Sequence, residues 1–230
     1  MKNKCFNEVL LMDQTNFNCT IGCLKSTDGS AQFSEKKTSV LAGVYGPADC
    51  KESRQDVDKA VVEVNFRPKL GIPGISEKYF EQFVKKAFET AIFCENHPRA
   101  LFSIIVQIME EQGSVLSCAI NAVNLALQDA AVSMKFMLIS VTIGLEHDEE
   151  NNQLNIHVNP STEIEKLCSS ITTFVFDNID LNLICCYEQG NITPEQYQTC
   201  LEEAKSACAG VIAFIHAEFT KKFMQDHSHR

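Results

Sequence analysis

Glu110 and Glu111 stand just ahead of Gly113, and two neighbouring carboxylates could hold a divalent cation. A charged turn closing a strand accounts for the same pair without a metal, and the sequence favours it. His97 precedes Pro98, which marks a turn residue rather than a catalytic base. His157 lies in a stretch of alternating polarity with no cysteine or aspartate at ligand spacing, so packing or solvent exposure is expected of it. The 11 cysteines include no Cys-x-x-Cys pair; Cys185 and Cys186 are adjacent, and Cys19 and Cys23 are set too far apart. An odd number in a chain of 230 residues argues against a disulfide framework and gives zinc little support. Reduced thiols, mostly buried as small apolar groups, are expected. Asp226-His227-Ser228-His229 offers loose ligands, but a frayed end is the favoured reading. No metal site is expected.

These residues need a scaffold, and 45% hydrophobic content is enough to bury a sizeable core. No apolar run has the length of a membrane helix, and the first residues lack the apolar stretch of a secretory signal, so a soluble intracellular protein without membrane partners is expected. Twenty basic against thirty acidic side chains give a formal charge of -10, which as a whole repels a polyphosphate. Any nucleic-acid contact must be local. The densest basic segment contains Lys51, Arg54, Lys59, Arg67, Lys69, Lys78, Lys85 and Lys86. Glu52, Asp56, Asp58, Glu63, Glu77 and Glu81 are interspersed with them, so a solvated face remains an equal reading.

Residues 19–24 and 31–45 read as antiparallel strands joined by a tight Asp28-Gly29 turn. In residues 60–66, Val62, Val64 and Phe66 alternate with Glu63 and Asn65, the pattern of a half-buried strand. Arg67-Pro68-Lys69 and Gly71-Ile72-Pro73-Gly74 then break into a projecting loop. Ser76 is the expected cap of a helix with Phe80, Phe83, Val84, Ala87, Ala91 and Ile92 inward, ending before His97-Pro98. Residues 100–109 read as a central strand and 117–131 as a buried helix. Further strands are expected at 136–143, 154–158, 171–176 and 181–186. Thr193-Pro194-Glu195-Gln196 carries the cap, proline and returning glutamine of a helix start, with the helix running to about Lys222 and Leu201, Ala204, Cys208, Val211, Ile212 and Ile215 inward. The class is α+β.

Three motifs occur in fixed order: Asp28-Gly29-Ser30-Ala31 leading to Thr38-Ser39-Val40-Leu41-Ala42-Gly43-Val44-Tyr45-Gly46-Pro47; His97-Pro98-Arg99; and Gly113-Ser114 before Asn121-Ala122-Val123-Asn124-Leu125-Ala126-Leu127. Together they resemble the RNase PH family, and with Arg67-Pro68-Lys69-Leu70-Gly71 they are most similar to its eukaryotic exosome ring subunits. The resemblance implies the RNase PH fold, of the ribosomal protein S5 domain 2-like kind. That means one domain over 1–230, two βα halves (1–132 and 133–223), mixed sheets, a left-handed crossover, a long C-terminal helix and a flexible tail at 224–230.

Active members of that family use phosphate to attack RNA 3′ ends, which requires a cationic clamp for the phosphate and an acid for the leaving oxygen. The resemblance places Lys85 or Lys86 where one clamp arginine belongs, and lysine lacks the bidentate fork. Gly113 and Ser114 remain at the second clamp, but Val115 stands in place of its arginine; Glu165 and Ile171 stand in place of two aspartates. The implied function is a non-catalytic exosome subunit, a pseudoenzyme in rRNA processing and RNA degradation. Its partners would be other RNase PH-like ring subunits and single-stranded RNA, the latter through Lys51, Arg54, Arg67, Lys69, Lys85 and Lys86. No cofactor is implied, and the location is nucleus, nucleolus and cytoplasm. Two other readings stay open: a homodimeric accessory that binds RNA or DNA beside a separate nuclease, and a weak phosphate-dependent 3′-5′ exoribonuclease built on Lys85 or Lys86, Ser114 and Glu165.

Overall fold

The computed structural model describes residues 17–148 and 153–228. Strands β1 (Phe17–Ile21), β2 (Gly29–Glu35), β3 (Thr38–Asp49), β4 (Val61–Arg67) and β5 (Ala100–Glu110) form one sheet in the order β1-β2-β3-β5-β4. Helix α1 (Ile75–Ala91) connects β4 to β5, which pair in parallel; every other pair in this sheet is antiparallel. After helix α2 (Val115–Asp129), strands β6 (Leu138–Asp148), β7 (Gln153–Val158), β8 (Ser170–Asp177) and β9 (Leu183–Gly190) form a second sheet ordered β7-β6-β8-β9. A one-turn helix α3 (Thr162–Glu165) precedes β8, and α4 (Pro194–Ser228) follows β9. The second sheet is wholly antiparallel, which corrects the expectation of two mixed sheets: hairpin-joined strands need no parallel crossover.

All three long helices touch both sheets. Helix α2 packs on β2, β3 and β6, and residues 116–127 are buried on every face, as its small apolar sequence requires. Helix α1 packs on β4, and its Tyr79, Phe80 and Phe83 rings meet Tyr187 of β9. Helix α4 packs on β1, β6, β7 and β8, with Phe214 against Phe17 and Phe33. One apolar cluster thus runs through both halves. Asn121 fastens α2 to the second sheet, donating to the Ser140 carbonyl at 2.9 Å and accepting from the Ser140 N–H at 3.0 Å.

Several local expectations change. The stretch 31–45 is two strands, folded at Lys36-Lys37 with Glu35 opposite Thr38. Lys36 takes a left-handed φ of 53°, while its ammonium donates to the carbonyls of Asn159 at 2.6 Å and Val158 at 3.3 Å. Gly29 starts β2 instead of making a tight turn. A Cβ there would collide with Ala126 and Ala130, so the glycine lets α2 lie against the strand. Asp28 pins the incoming loop by accepting the Gly46 N–H at 2.8 Å. The cap of α1 is Gly74, whose N–H donates to Glu77 at 2.8 Å, so Ser76 lies inside the first turn. Thr193 and Gln196 form the expected reciprocal cap of α4. That helix continues past Lys222 to Ser228; the side chains at 226–229 lie outside the described residues, as does the N-terminal stretch 1–16. No helix among the described residues is long and apolar enough to cross a membrane.

Candidate functional site at the start of helix α2

Strand β5 delivers the chain to a turn at residues 111–114, and the loop after β7 closes over it. Gly113 has φ 100°, and a Cβ there would fall on the Pro160 carbonyl and lie 2.8 Å from backbone atoms of Ser161 and Thr162. Thr38 ties the turn from below, donating to the Gly113 carbonyl at 2.6 Å and accepting the Gln112 N–H at 3.1 Å. Thr162 N–H donates to the Gln112 carbonyl at 3.0 Å from the other side. Ser114, with φ 51°, is the first residue before the helix and is 7% exposed.

Both groups of Ser114 that could hold an anion are already taken by this chain. Its N–H donates to Glu165 Oε1 at 2.7 Å, and its hydroxyl donates to the Pro160 carbonyl at 3.0 Å. A carboxylate at a helix N-terminus is favoured by the helix dipole and by the amide that needs an acceptor. Glu165 thus sits where an external anion would compete, and the adjoining Val115 brings no charge or donor from its side chain.

The structure joins Ser114 to Glu165 through a hydrogen bond at the turn, with Gly113 and Val115 beside them, and no such bond joins Lys85, Lys86 or Ile171 to them among the described residues. Lys85 lies 3.9 Å from Glu89 on its own helix, Lys86 is exposed, and neither makes a hydrogen bond or ion pair with residues 113–115 among the described residues. Ile171 is half-buried in β8 opposite Gly144 and Gln189. Thr38, quoted in the sequence only as the start of a motif, and Pro160, not singled out there at all, both hold the turn. A hydroxyl at the foot of a hairpin and a proline after a strand look like ordinary loop residues until the two halves pack.

The basic candidates divide. Lys51 and Arg54 lie in the loop before β4, with Arg54 Nη1 2.9 Å from Glu63 Oε1. Arg67 ends β4 and Lys69 lies just past it, and the seven residues of that strand set this end about 20 Å from its start. There they border a cavity of about 460 Å³ with Pro68, Ile72 and Gln107, the last donating to the Pro68 carbonyl at 3.0 Å. The same loop projects Leu70, Ile72 and Ile75, which are 85%, 92% and 90% exposed.

Glu110 and Glu111 are exposed at the end of β5, as a charged turn should be. His97 ends a short helical turn with its ring edge-on to Phe102. His157 is neither simply packed nor free: its Nε2 lies 2.8 Å from Glu146 Oε2 on the adjacent strand. The ten described cysteines are free, but only five are buried, fewer than "mostly" implied; Cys23 and Cys186 are exposed. Burial pushes the Cys118 and Cys208 thiols well up and those of Cys19 and Cys185 to about 12.

Residues 14–133 match the model of the RNase PH 3′ exoribonuclease family, domain 1. The chain is 30% identical over 227 residues to the exosome complex exonuclease RRP46 homolog of Arabidopsis thaliana, covering 91% of each. Its fold superposes on the crystal structure of rice (Oryza sativa) Rrp46 with a TM-score of 0.82 at 29% identity, covering 89% of this chain and 94% of the other. A chain of an archaeal exosome core gives 0.74 over 94% and 99% of the two chains, and at 13% identity that likeness is one of fold. The match of motif order, two-sheet architecture and family model places this chain in the RNase PH family.

Proposed function

We propose that this chain is a non-catalytic ring subunit of the RNA exosome, the counterpart of exosome component 5, acting as one domain in RNA 3′-end processing and decay. The observation that carries the reading is the closed turn at Ser114, where the amide and hydroxyl serve Glu165 and Pro160 while Val115 replaces a cationic group. Phosphorolysis depends on preorganised charge around the phosphate, and removing a single such contact costs roughly 3 to 4 kcal/mol of transition-state stabilisation. Exosome membership is supported by the relatives, which carry the names of exosome subunits. The partners would be other RNase PH-like ring subunits and single-stranded RNA, the latter at Arg67 and Lys69 first. The protein would work in the nucleus, nucleolus and cytoplasm.

Affinity purification of the tagged chain, followed by mass spectrometry, tests this. Other RNase PH-like subunits in equal amounts are expected. Recovery of only a second copy of the chain would replace the ring reading with the homodimeric one.

A further inference from the structure

On the outer face of the first sheet, at the β2–β3 hairpin, a surface cavity of about 390 Å³ is lined by Gln32, Ser34, Lys37, Ser39, Met109 and Glu110. None of these belongs to the remnant clamp, and the lining is polar and open to solvent. Its floor is organised by Ser39, which is 8% exposed. The Ser39 hydroxyl accepts from Gln32 Nε2 and from Ser34 Oγ, each at 2.9 Å. Both lone pairs are then used, so the Ser39 O–H must donate, and no acceptor among the described residues takes it. A register shift between β3 and β5 pairs Ser39 with Glu110 and Val40 with Ile108, leaving Met109 as the extra residue. Bulges of this kind re-aim side chains near sites. Lys37 and Glu110 both line the cavity and are exposed; Lys36, also in the lining, is held by carbonyl oxygens.

A donor-bearing floor with a cation, a carboxylate and an exposed thioether is poorly matched to a bare anion, which Glu110 would repel. It suits a ligand with one anionic end, one hydroxyl donor and one flat apolar part. We propose that this cavity binds a ribonucleoside 5′-monophosphate unit, free or within a strand. The phosphate meets Lys37 and the Ser39 O–H, the ribose 2′-hydroxyl donates to Glu110, and the base lies against Met109. A carboxylate accepting from a ribose hydroxyl is a recurring device, and the 2′-hydroxyl is what distinguishes RNA from DNA. The inference rests on the RNA reading above only for the choice of nucleotide.

The test is an NMR titration of the whole chain with AMP, dAMP and inorganic phosphate, following the amides of Lys37, Ser39, Met109 and Glu110. AMP is expected to shift these resonances, with dAMP binding about tenfold more weakly for want of a charge-assisted hydrogen bond. Glu110→Ala should abolish the difference between AMP and dAMP, whereas Lys37→Ala should weaken both alike. Equal binding of AMP and dAMP by the wild-type chain, shifts confined to other residues, or phosphate binding as tightly as AMP would each overturn the proposal. Oligoadenylate moving the same amides assigns the site to a strand, and a response to AMP alone assigns it to free nucleotide. Failure to co-purify with ring subunits leaves these results untouched, and a flat AMP titration leaves ring membership untouched.

Discussion

The turn before α2 and the loop after β4 are both irregular segments at the ends of strands in the same sheet, yet they are built in opposite ways. At residues 112–114 nearly every polar group is paired within the chain, to Thr38, Pro160, Thr162 or Glu165. At residues 67–75 cationic and apolar side chains project with few partners, and Ile72 is 92% exposed. The first arrangement resists a ligand because one must displace an internal carboxylate; the second has surface to offer. The polar groups of the first segment belong to the fold's own hydrogen bonding, whereas the second keeps its side chains toward solvent.

The comparison can be broken most sharply at Gly113. Gly113→Ala should destabilise the fold by about 3 to 4 kcal/mol, through a positive φ and a clash with the Pro160 loop. Thermal denaturation should show this as a fall in Tm of about 10 °C. In the open loop, Gly71→Ala has no neighbour within 4 Å to strike, and only its φ of 90° opposes it, so its effect should be distinctly smaller.

Opening the closed turn is the second step. Glu165→Ala leaves the Ser114 N–H without its acceptor and should cost about 1 to 3 kcal/mol. Added phosphate should then raise the Tm of the variant by a few degrees more than that of the wild type, because only the variant has the amide free. An equal response in both would mean that Glu165 does not guard the turn.

The open loop is sharpened by charge removal. Arg67→Ala with Lys69→Ala should weaken binding of single-stranded RNA about tenfold and lower the salt dependence by roughly 0.7 per lost phosphate contact. Arg54→Ala should do less, since its guanidinium is already occupied by Glu63. Fluorescence anisotropy at two salt concentrations measures both.

A further effect, confined to alkaline pH, concerns the core that joins the two regions. Burial raises the thiols of Cys118 and Cys208, and those of Cys19 and Cys185 to about 12, so the folded chain keeps protons that an unfolded thiol of value 9.0 gives up. Their contribution to stability is therefore complete below about pH 9 and declines as pH rises from there toward about 12. Urea unfolding midpoints between pH 8 and pH 10.5 should show the decline. Iodoacetamide followed by mass spectrometry should label Cys23 and Cys186 long before Cys118 and Cys208.

Much of this was legible in the sequence wherever periodicity was strong. The buried helix α2, the alternating β4 and the capped start of α4 lie within a few residues of where apolar spacing put them. The Lys36-Lys37 fold was hidden because two lysines carry none of the glycine or asparagine that marks a hairpin, and the distant carbonyls of Val158 and Asn159 hold it. Gly29 misled for the converse reason: a glycine after aspartate reads as a turn, but here it makes room for a helix. Of the site, Gly113, Ser114 and Glu165 were recognisable by family resemblance, whereas their mutual hydrogen bond spans 51 positions and depends on both halves docking. The basic segment looked like one cluster because sequence distance conceals that β4 carries its two ends apart.

The central claim is that the turn before α2 no longer handles phosphate chemistry. The purified chain should therefore be incubated with single-stranded RNA, inorganic phosphate and magnesium, and the products separated for nucleoside diphosphates. The account predicts no release above that of a buffer control. Steady release from the wild-type chain that disappears in the Ser114→Ala, Glu165→Ala double variant would contradict it.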